Sequence, residues 1–220
     1  MSIQENLNQI KSELPSHVTL VAVSKTKPVS AIMEAYNAGQ RVFGENKIQE
    51  MVEKYEQMPK DIEWHMIGHV QRNKVKYMAP FVHLIHGVDN LKLLIEINKE
   101  AEKHNRIINC LLQIKIASED SKFGMAPDEA SGIIQSKSFS ELKNINVIGF
   151  MGMATFTEDQ NQIEQEFKVL KTTFDNLKNL ETFNFKPTTI SMGMSGDYKL
   201  AITCGSTMIR VGSSIFGHRS

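Results

Sequence analysis

The sequence predicts an α/β fold, a (β/α)8 barrel with one extra helix at its amino terminus. Three observations carry that prediction. Eight short segments rich in Val, Ile and Leu alternate with longer segments whose apolar residues recur at helical spacing. No Pro/Gly/Ser-rich linker or low-complexity stretch divides the 220 residues, so 1–220 reads as a single domain, near the lower size limit of a barrel. Glycines and functional side chains gather at the carboxyl ends of the apolar segments, where barrels keep their chemistry. An open doubly wound sheet is the second choice. It would need a glycine-rich first turn for a dinucleotide, and the first turn here is Ser24-Lys25-Thr26-Lys27, with neither GxGxxG nor GxxxxGK.

Each element has its own signal. Ile3, Leu7, Ile10 and Leu14 precede Pro15 and predict the leading helix. Val18–Val23 is β-branched and nearly all apolar, the pattern of a strand buried on both faces. Pro28 opens a helix with Ile32, Met33, Ala35 and Tyr36 inward, and Gly39 ends it. Arg41–Gly44 predicts strand two, and Glu45-Asn46 turn into a helix carrying Ile48, Met51, Val52 and Tyr55. Ile62–Ile67 predicts strand three, ended by Gly68 and followed by a short basic helix over Gln71, Lys74 and Lys76. Phe81–Ile85 predicts strand four, with Asp89 capping a helix that carries Leu91, Leu94, Ile95 and Ile97. Ile108–Ile116 predicts strand five, and the polar loop Ala117–Ala126 leads to a helix from about Pro127. Asn146–Met151 predicts strand six. Asp159–Leu180 predicts a long helix with Ile163, Phe167, Leu170, Phe174 and Leu177 on one face. Thr188–Met192 predicts strand seven, Gly196–Ile202 a short helix that Ser195 could cap, and Met208–Val211 strand eight, with no helix predicted after it.

Composition narrows the functional classes. Apolar residues make up 41% and charged residues 23%, enough for a real core. The formal net charge is zero, which argues against nucleic acid or an anionic membrane as a bulk electrostatic partner. No stretch is long and apolar enough to span a bilayer, and the polar start lacks the pattern of a signal peptide. Cys110 and Cys204 form no ligand or disulfide pattern and read as small hydrophobes. A cytoplasmic protein, monomeric and without a membrane partner, is expected.

The chemistry points to Lys25. An amine at the end of an apolar strand is badly placed for packing and well placed for a Schiff base with an aldehyde. Lys27 reads as a solvated charge. The last two loops, Ser191–Asp197 and Arg210–Gly217, offer small residues and hydroxyls where barrels commonly hold phosphate: Ser195, Gly196, Gly212 and Ser213. Arg210 lies inside an apolar strand and needs an acceptor, either a phosphate or the ring nitrogen of a pyridine. A reactive lysine and a phosphate cradle at one barrel mouth imply a phosphorylated aldehyde. Pyridoxal 5'-phosphate (PLP) is the first candidate, and a class I aldolase with a sugar phosphate would use the same two parts. His65 and His69 lie four apart but not on one helix face, and no metal site is expected. Glu45 and Asp197 could be an acid–base pair, although capping or solvated carboxylates are commoner. The Gln71–Lys76 run lacks interleaved aromatics and reads as a polar helix near the mouth.

These residues resemble the pyridoxal phosphate homeostasis proteins, relatives of the alanine racemase barrel (fold type III of PLP proteins). The resemblance runs from the leading helix to Phe216-Gly217. It rests on Ala22–Pro28, Phe43–Asn46, Trp64–Gly68, Gln71–Lys74, Ser121–Gly124, Gly152–Ala154, Ser191–Ser195, and Gly205–Gly212 running on to Ile215–Gly217. It implies a covalent PLP aldimine on Lys25, phosphate contacts from Ser191, Ser195, Gly212 and Ser213, Asn46 near the ring, and Arg210 beside the cofactor. His69 stands where many members have proline, and Ala154-Thr-Phe-Thr replaces a commoner Met/Pro-containing run. The resemblance further implies a carrier or regulator of PLP, possible exchange with apo-PLP enzymes, and no second domain after the barrel. Without such a domain an opposed second base is missing, which argues against an amino-acid racemase or lyase, the alternative reading.

Overall fold

The computed structural model describes residues 2–119, 123–180 and 182–217. Eight parallel strands close into a barrel in chain order: β1 (Thr19–Val23), β2 (Val42–Glu45), β3 (Glu63–Met66), β4 (Leu84–Val88), β5 (Ile108–Gln113), β6 (Ile145–Met151), β7 (Phe185–Ser191) and β8 (Met208–Val211). Closure comes from β8 pairing with β1, Thr19 against Met208 through Ala22 against Val211. The helices are α1 (Ile3–Glu13), α2 (Val29–Asn37), α3 (Ile48–Gln57), α4 (Val75–Met78), α5 (Leu91–Lys103), α6 (Pro127–Ile134), α7 (Lys137–Ser140), α8 (Gln160–Leu177), α9 (Tyr198–Thr203) and α10 (Ser213–Phe216). The extra helix α1 is the expected one. A capping box starts it, Ser2 accepting from the Glu5 N–H while the Glu5 carboxylate accepts from the Ser2 N–H.

Near-continuous apolar strands arise because both faces are covered. Outward residues such as Leu20, Ala22, Phe43, Trp64 and Ile85 join the helices in one large core. Their inward neighbours Val21, Val23, Ile67, Leu84, Leu111, Met151 and Met208 form a second cluster inside the barrel. The barrel interior also buries His65, His86, Gln113, Ser191 and Arg210, so a polar seam crosses it. No helix of the described residues is long and apolar enough to cross a membrane.

The structure shifts several predicted boundaries. The apolar run Phe81–His83 is not the start of strand four. Phe81 and Val82 donate their N–H groups to Met78 O and finish a helical turn, while Arg106 binds the carbonyls of Ala79 and Val82. The strand therefore runs on to Val88 and carries His86 inside it. Asn90, not Asp89, caps α5, its Oδ1 accepting from the Leu93 N–H at 2.9 Å. The helix expected from Pro127 is two, because Ser136 caps a new one. Ser195 does not cap α9, which starts at Tyr198. A turn of helix, α10, follows β8 where none was predicted. The basic run forms a 3-10 turn, Arg72–Lys74, leading into α4. Ser121 and Lys122 of the fifth motif lie outside the described residues.

Register breaks once in β6, between Val147 and Gly149. Gly149 has φ 151°, and a Cβ there would lie 1.8 Å from Thr189 O on β7. Only glycine lets the two strands pair across this bulge. Gly149→Ala is expected to lower stability by about 3 kcal/mol, seen as a fall of roughly 6–12 °C in the thermal unfolding midpoint. An unchanged midpoint would show that the bulge tolerates a side chain.

Candidate functional site

The carboxyl ends of the strands surround a cavity of about 990 Å³. Its first wall is the turn after β1. Lys27 N–H donates to Ser24 O at 3.0 Å, which closes the turn, and Thr26 sits in the left-handed region at φ 63°. A β-branched residue there is strained, so neighbours must hold it. Thr26 N–H donates to Glu50 Oε1 at 2.6 Å. The buried Lys54 ammonium donates to Glu50 Oε1, Glu45 Oε1 and Ser24 O at 2.7–2.8 Å. Ser24 Oγ donates to Glu45 Oε1 at 2.5 Å. This network from β2 and α3 fixes the backbone on either side of Lys25, which lines the cavity.

The second wall comes from the ends of β2 and β3. Asn46 lines the cavity, and Gly68 packs so closely that a Cβ would meet Asn46 O at 2.3 Å. The third wall joins the loops after β7 and β8. Gly212 N–H donates to Ser195 Oγ at 3.2 Å, tying the two loops together, and Ser213 opens α10 beside them. Of the predicted site residues, Lys25, Asn46, Ser195, Arg210, Gly212 and Ser213 all line this cavity, and Ser191 does not. Ser191 is fully buried one layer below, where its hydroxyl and carbonyl both accept from Arg210 NH1 at 2.7 and 2.9 Å. Arg210 NH2 donates to Gly152 O at 3.0 Å. Burial pushes the guanidinium pKa down to about 10, with Asp197 opposing, so Arg210 stays charged at neutral pH.

Electrostatics favour an anion here. Among the described residues lining the cavity, Lys25, Lys27 and Arg210 are cationic and only Asp197 is acidic. Asp197 accepts from the Met194 N–H at 2.5 Å, and desolvation raises its pKa above the usual carboxylate range. Lys27 is not the solvated charge expected: its ammonium donates to Phe216 O at 3.1 Å inside the cavity wall. Glu45 and Asp197 do not pair. Glu45 is sealed against Lys54, and burial raises its pKa despite that ammonium. His65 and His69 are also separated. His69 lines the mouth, stacked on Phe123 and 3.6 Å from Asp89, whereas His65 is buried in the barrel. The Gln71–Lys76 segment does not line the cavity. Lys54 and Glu50 escaped the sequence reading, though their i,i+4 spacing on the face of Met51 and Tyr55 was a usable signal.

Beneath the cavity, His65 Nδ1 meets His86 Nε2 at 3.0 Å, and His86 Nδ1 meets Ser191 Oγ at 3.0 Å, extending the Arg210 contacts into a chain across the barrel. Desolvation, then repulsion from His83, pushes the His65 pKa down to about 3. Desolvation, with His65 and Arg210, holds His86 well below its ordinary 6.5. In the unfolded chain both titrate near 6.5, so between that value and the folded pKa the unfolded state binds more protons. The stabilisation is therefore complete above pH 6.5 and is lost on acidification. His65 alone is expected to cost roughly 3 kcal/mol between pH 6.5 and 4. Denaturant titrations over that range, in chelator-treated buffer, should show a flatter pH slope in His65→Gln. An equal slope in both proteins would contradict the assignment.

Comparison with known proteins places the fold in a family. The family model described as alanine racemase, N-terminal domain, matches residues 1–220. The pyridoxal phosphate homeostasis protein of Haemophilus influenzae is 37% identical, over 100% of this chain and 97% of its own. PipY of Synechococcus elongatus PCC7942 superposes with a TM-score of 0.92 in its structure without PLP and 0.89 with PLP bound. The identities are 34% and 33%, covering 98% of this chain and 100% of PipY. The alanine racemase of Clostridium difficile 630 shares the fold at a TM-score of 0.80 and 16% identity, with 56% of its length covered. The chain belongs to the alanine racemase N-terminal domain family and, within it, to the pyridoxal phosphate homeostasis proteins.

Proposed function

We propose that this chain binds PLP in the barrel mouth, holds it as a Schiff base on Lys25, and serves intracellular vitamin B6 homeostasis by storing, buffering or handing over the cofactor. One observation carries the reading. A lysine presented by a pinned turn shares its cavity with two loops joined through Ser195 and Gly212, above a fixed arginine. The residues fit the group. A lysine lines the space an aldehyde would enter, and two further cations, Lys27 and Arg210, outweigh one carboxylate of raised pKa, as a phosphate dianion requires. PLP would supply an aldehyde that condenses reversibly with amines. The chain's residues do the rest. Lys25 provides the tether. Ser195, Gly212 and Ser213, at the loops after β7 and β8, take the phosphate. Asn46 sits toward the ring, and Arg210 provides a charge that Ser191 and Gly152 hold in place. Ser191 thus acts through Arg210 and not on the phosphate. The mouth leaves a path for water or an incoming amine to release the cofactor to an apo-enzyme.

A racemase or lyase has one observation in its favour, the His69 imidazole beside Asp89 at the cavity rim, which could move a proton.

Borohydride reduction of the PLP-loaded protein followed by peptide mapping should place a pyridoxyl group on Lys25. Lys25→Ala should lose the visible absorbance and bind PLP at least about tenfold more weakly. Covalent label retained in that variant would contradict the tether. The two functions separate in heavy water. A carrier hands PLP to an apo-enzyme and leaves amino-acid α-protons unexchanged. Steady α-proton exchange that is lost in His69→Ala, with no handover, would establish the enzyme instead.

A further inference from the structure

Glu63 begins β3 and His83 immediately precedes β4, so both lie at the end of the barrel opposite the cavity. With His65 they form a compact group: one ring nitrogen of each histidine and one carboxylate oxygen lie within 4.8 Å of one another. His83 Nε2 is 3.5 Å from Glu63 Oε2, and the His65 and His83 rings are parallel within 5° at 5.6 Å between centroids. An exposed His–Glu pair alone would be an ordinary surface contact. The third member changes that. His65 is only 2% exposed, its Nδ1 is engaged by His86, and its buried Nε2 has no hydrogen-bond partner among the described residues. Buried polar atoms without partners are uncommon and call for an explanation.

We propose that Glu63, His65 and His83 bind a divalent first-row transition ion, with zinc the best match. Two imidazoles and one carboxylate are a known zinc donor set that leaves a fourth position for water. Ligand atoms about 2.0–2.1 Å from a tetrahedral ion are about 3.4 Å apart. The His83–Glu63 pair already has that spacing, and both side chains are half-exposed and can rotate to close the remainder. The barrel supplies the orienting groups for His65. When His65 Nδ1–H donates to His86 Nε2, and His86 Nδ1–H donates to Ser191 Oγ, the His65 Nε2 lone pair is left for the ion. The sequence could not assemble this set, because it paired His65 with His69, which lies at the other end of the barrel.

The test uses untagged protein, stripped with a chelator and free of added PLP, so that its outcome is independent of cofactor binding. Cobalt(II) is titrated against visible ligand-field absorption, and zinc against a chromophoric chelator. One equivalent with ligand-field bands is expected. His83→Ala and Glu63→Gln, both at exposed positions, should each weaken binding by about 100-fold or more, while His104→Ala, an exposed control, binds as the wild type does. Absence of stoichiometric binding in the wild type, or equal binding in the His83 and Glu63 variants, would overturn the site.

Discussion

The Lys54 ammonium, buried under the first β–α turn, is the contact on which the site depends. It donates to the Ser24 carbonyl and to carboxylate oxygens of Glu45 and Glu50. Without it, the fully buried Glu45 carboxylate would have no counter-charge, with the partly exposed Glu50 beside it, and losing one partner of a buried pair costs about 3–5 kcal/mol. Glu50 in turn holds the Thr26 N–H and keeps a β-branched residue at positive φ, a conformation worth about 1–3 kcal/mol of strain. Lys25 lies between these anchored points. Its backbone is over-determined by β1, β2 and α3 together, and it lines the cavity from that fixed turn.

A second constraint comes from inside the barrel. Apolar layers of Val21, Val23, Leu111 and Met151 would by themselves make a sealed plug. The seam of His65, His86, Ser191 and Arg210 replaces part of that plug with a hydrogen-bonded chain. Each member restrains the next, so the guanidinium faces the cavity in one orientation and needs no external ligand to hold it. The chain also joins the two ends of the barrel. An ion at Glu63, His65 and His83 would select one of its two proton arrangements, and that choice would reach Ser191 and, through it, Arg210 in the cavity wall.

The barrel was legible because its strands are buried on both faces and its helices on one, so apolar runs and helical periods alternate without ambiguity. That Lys25 and the loops after β7 and β8 line one cavity was legible because strand ends must converge in a closed barrel. What escaped depends on tertiary partners. Phe81 and Val82 have the composition of a strand, yet Met78 and Arg106 capture their neighbourhood for a turn. Ser191 has the composition of a phosphate ligand, but β7 ends with its side chain pointing down at Arg210. Lys27 looks solvated until the last turn, Ser213–Phe216, brings the Phe216 carbonyl to it. Lys54 reads as a surface lysine on a short helix, and only the fold shows that its face of α3 lies over Ser24.

The most direct test of the pinned-lysine site is a crystal structure of the chain grown with PLP. Continuous density is expected from Lys25 Nζ to the aldehyde carbon, with the phosphate between the Ser195 and Gly212–Ser213 loops and the Ser24–Lys27 turn unchanged on Lys54 and Glu50. Density on another lysine, or a phosphate lodged away from those two loops, would contradict it.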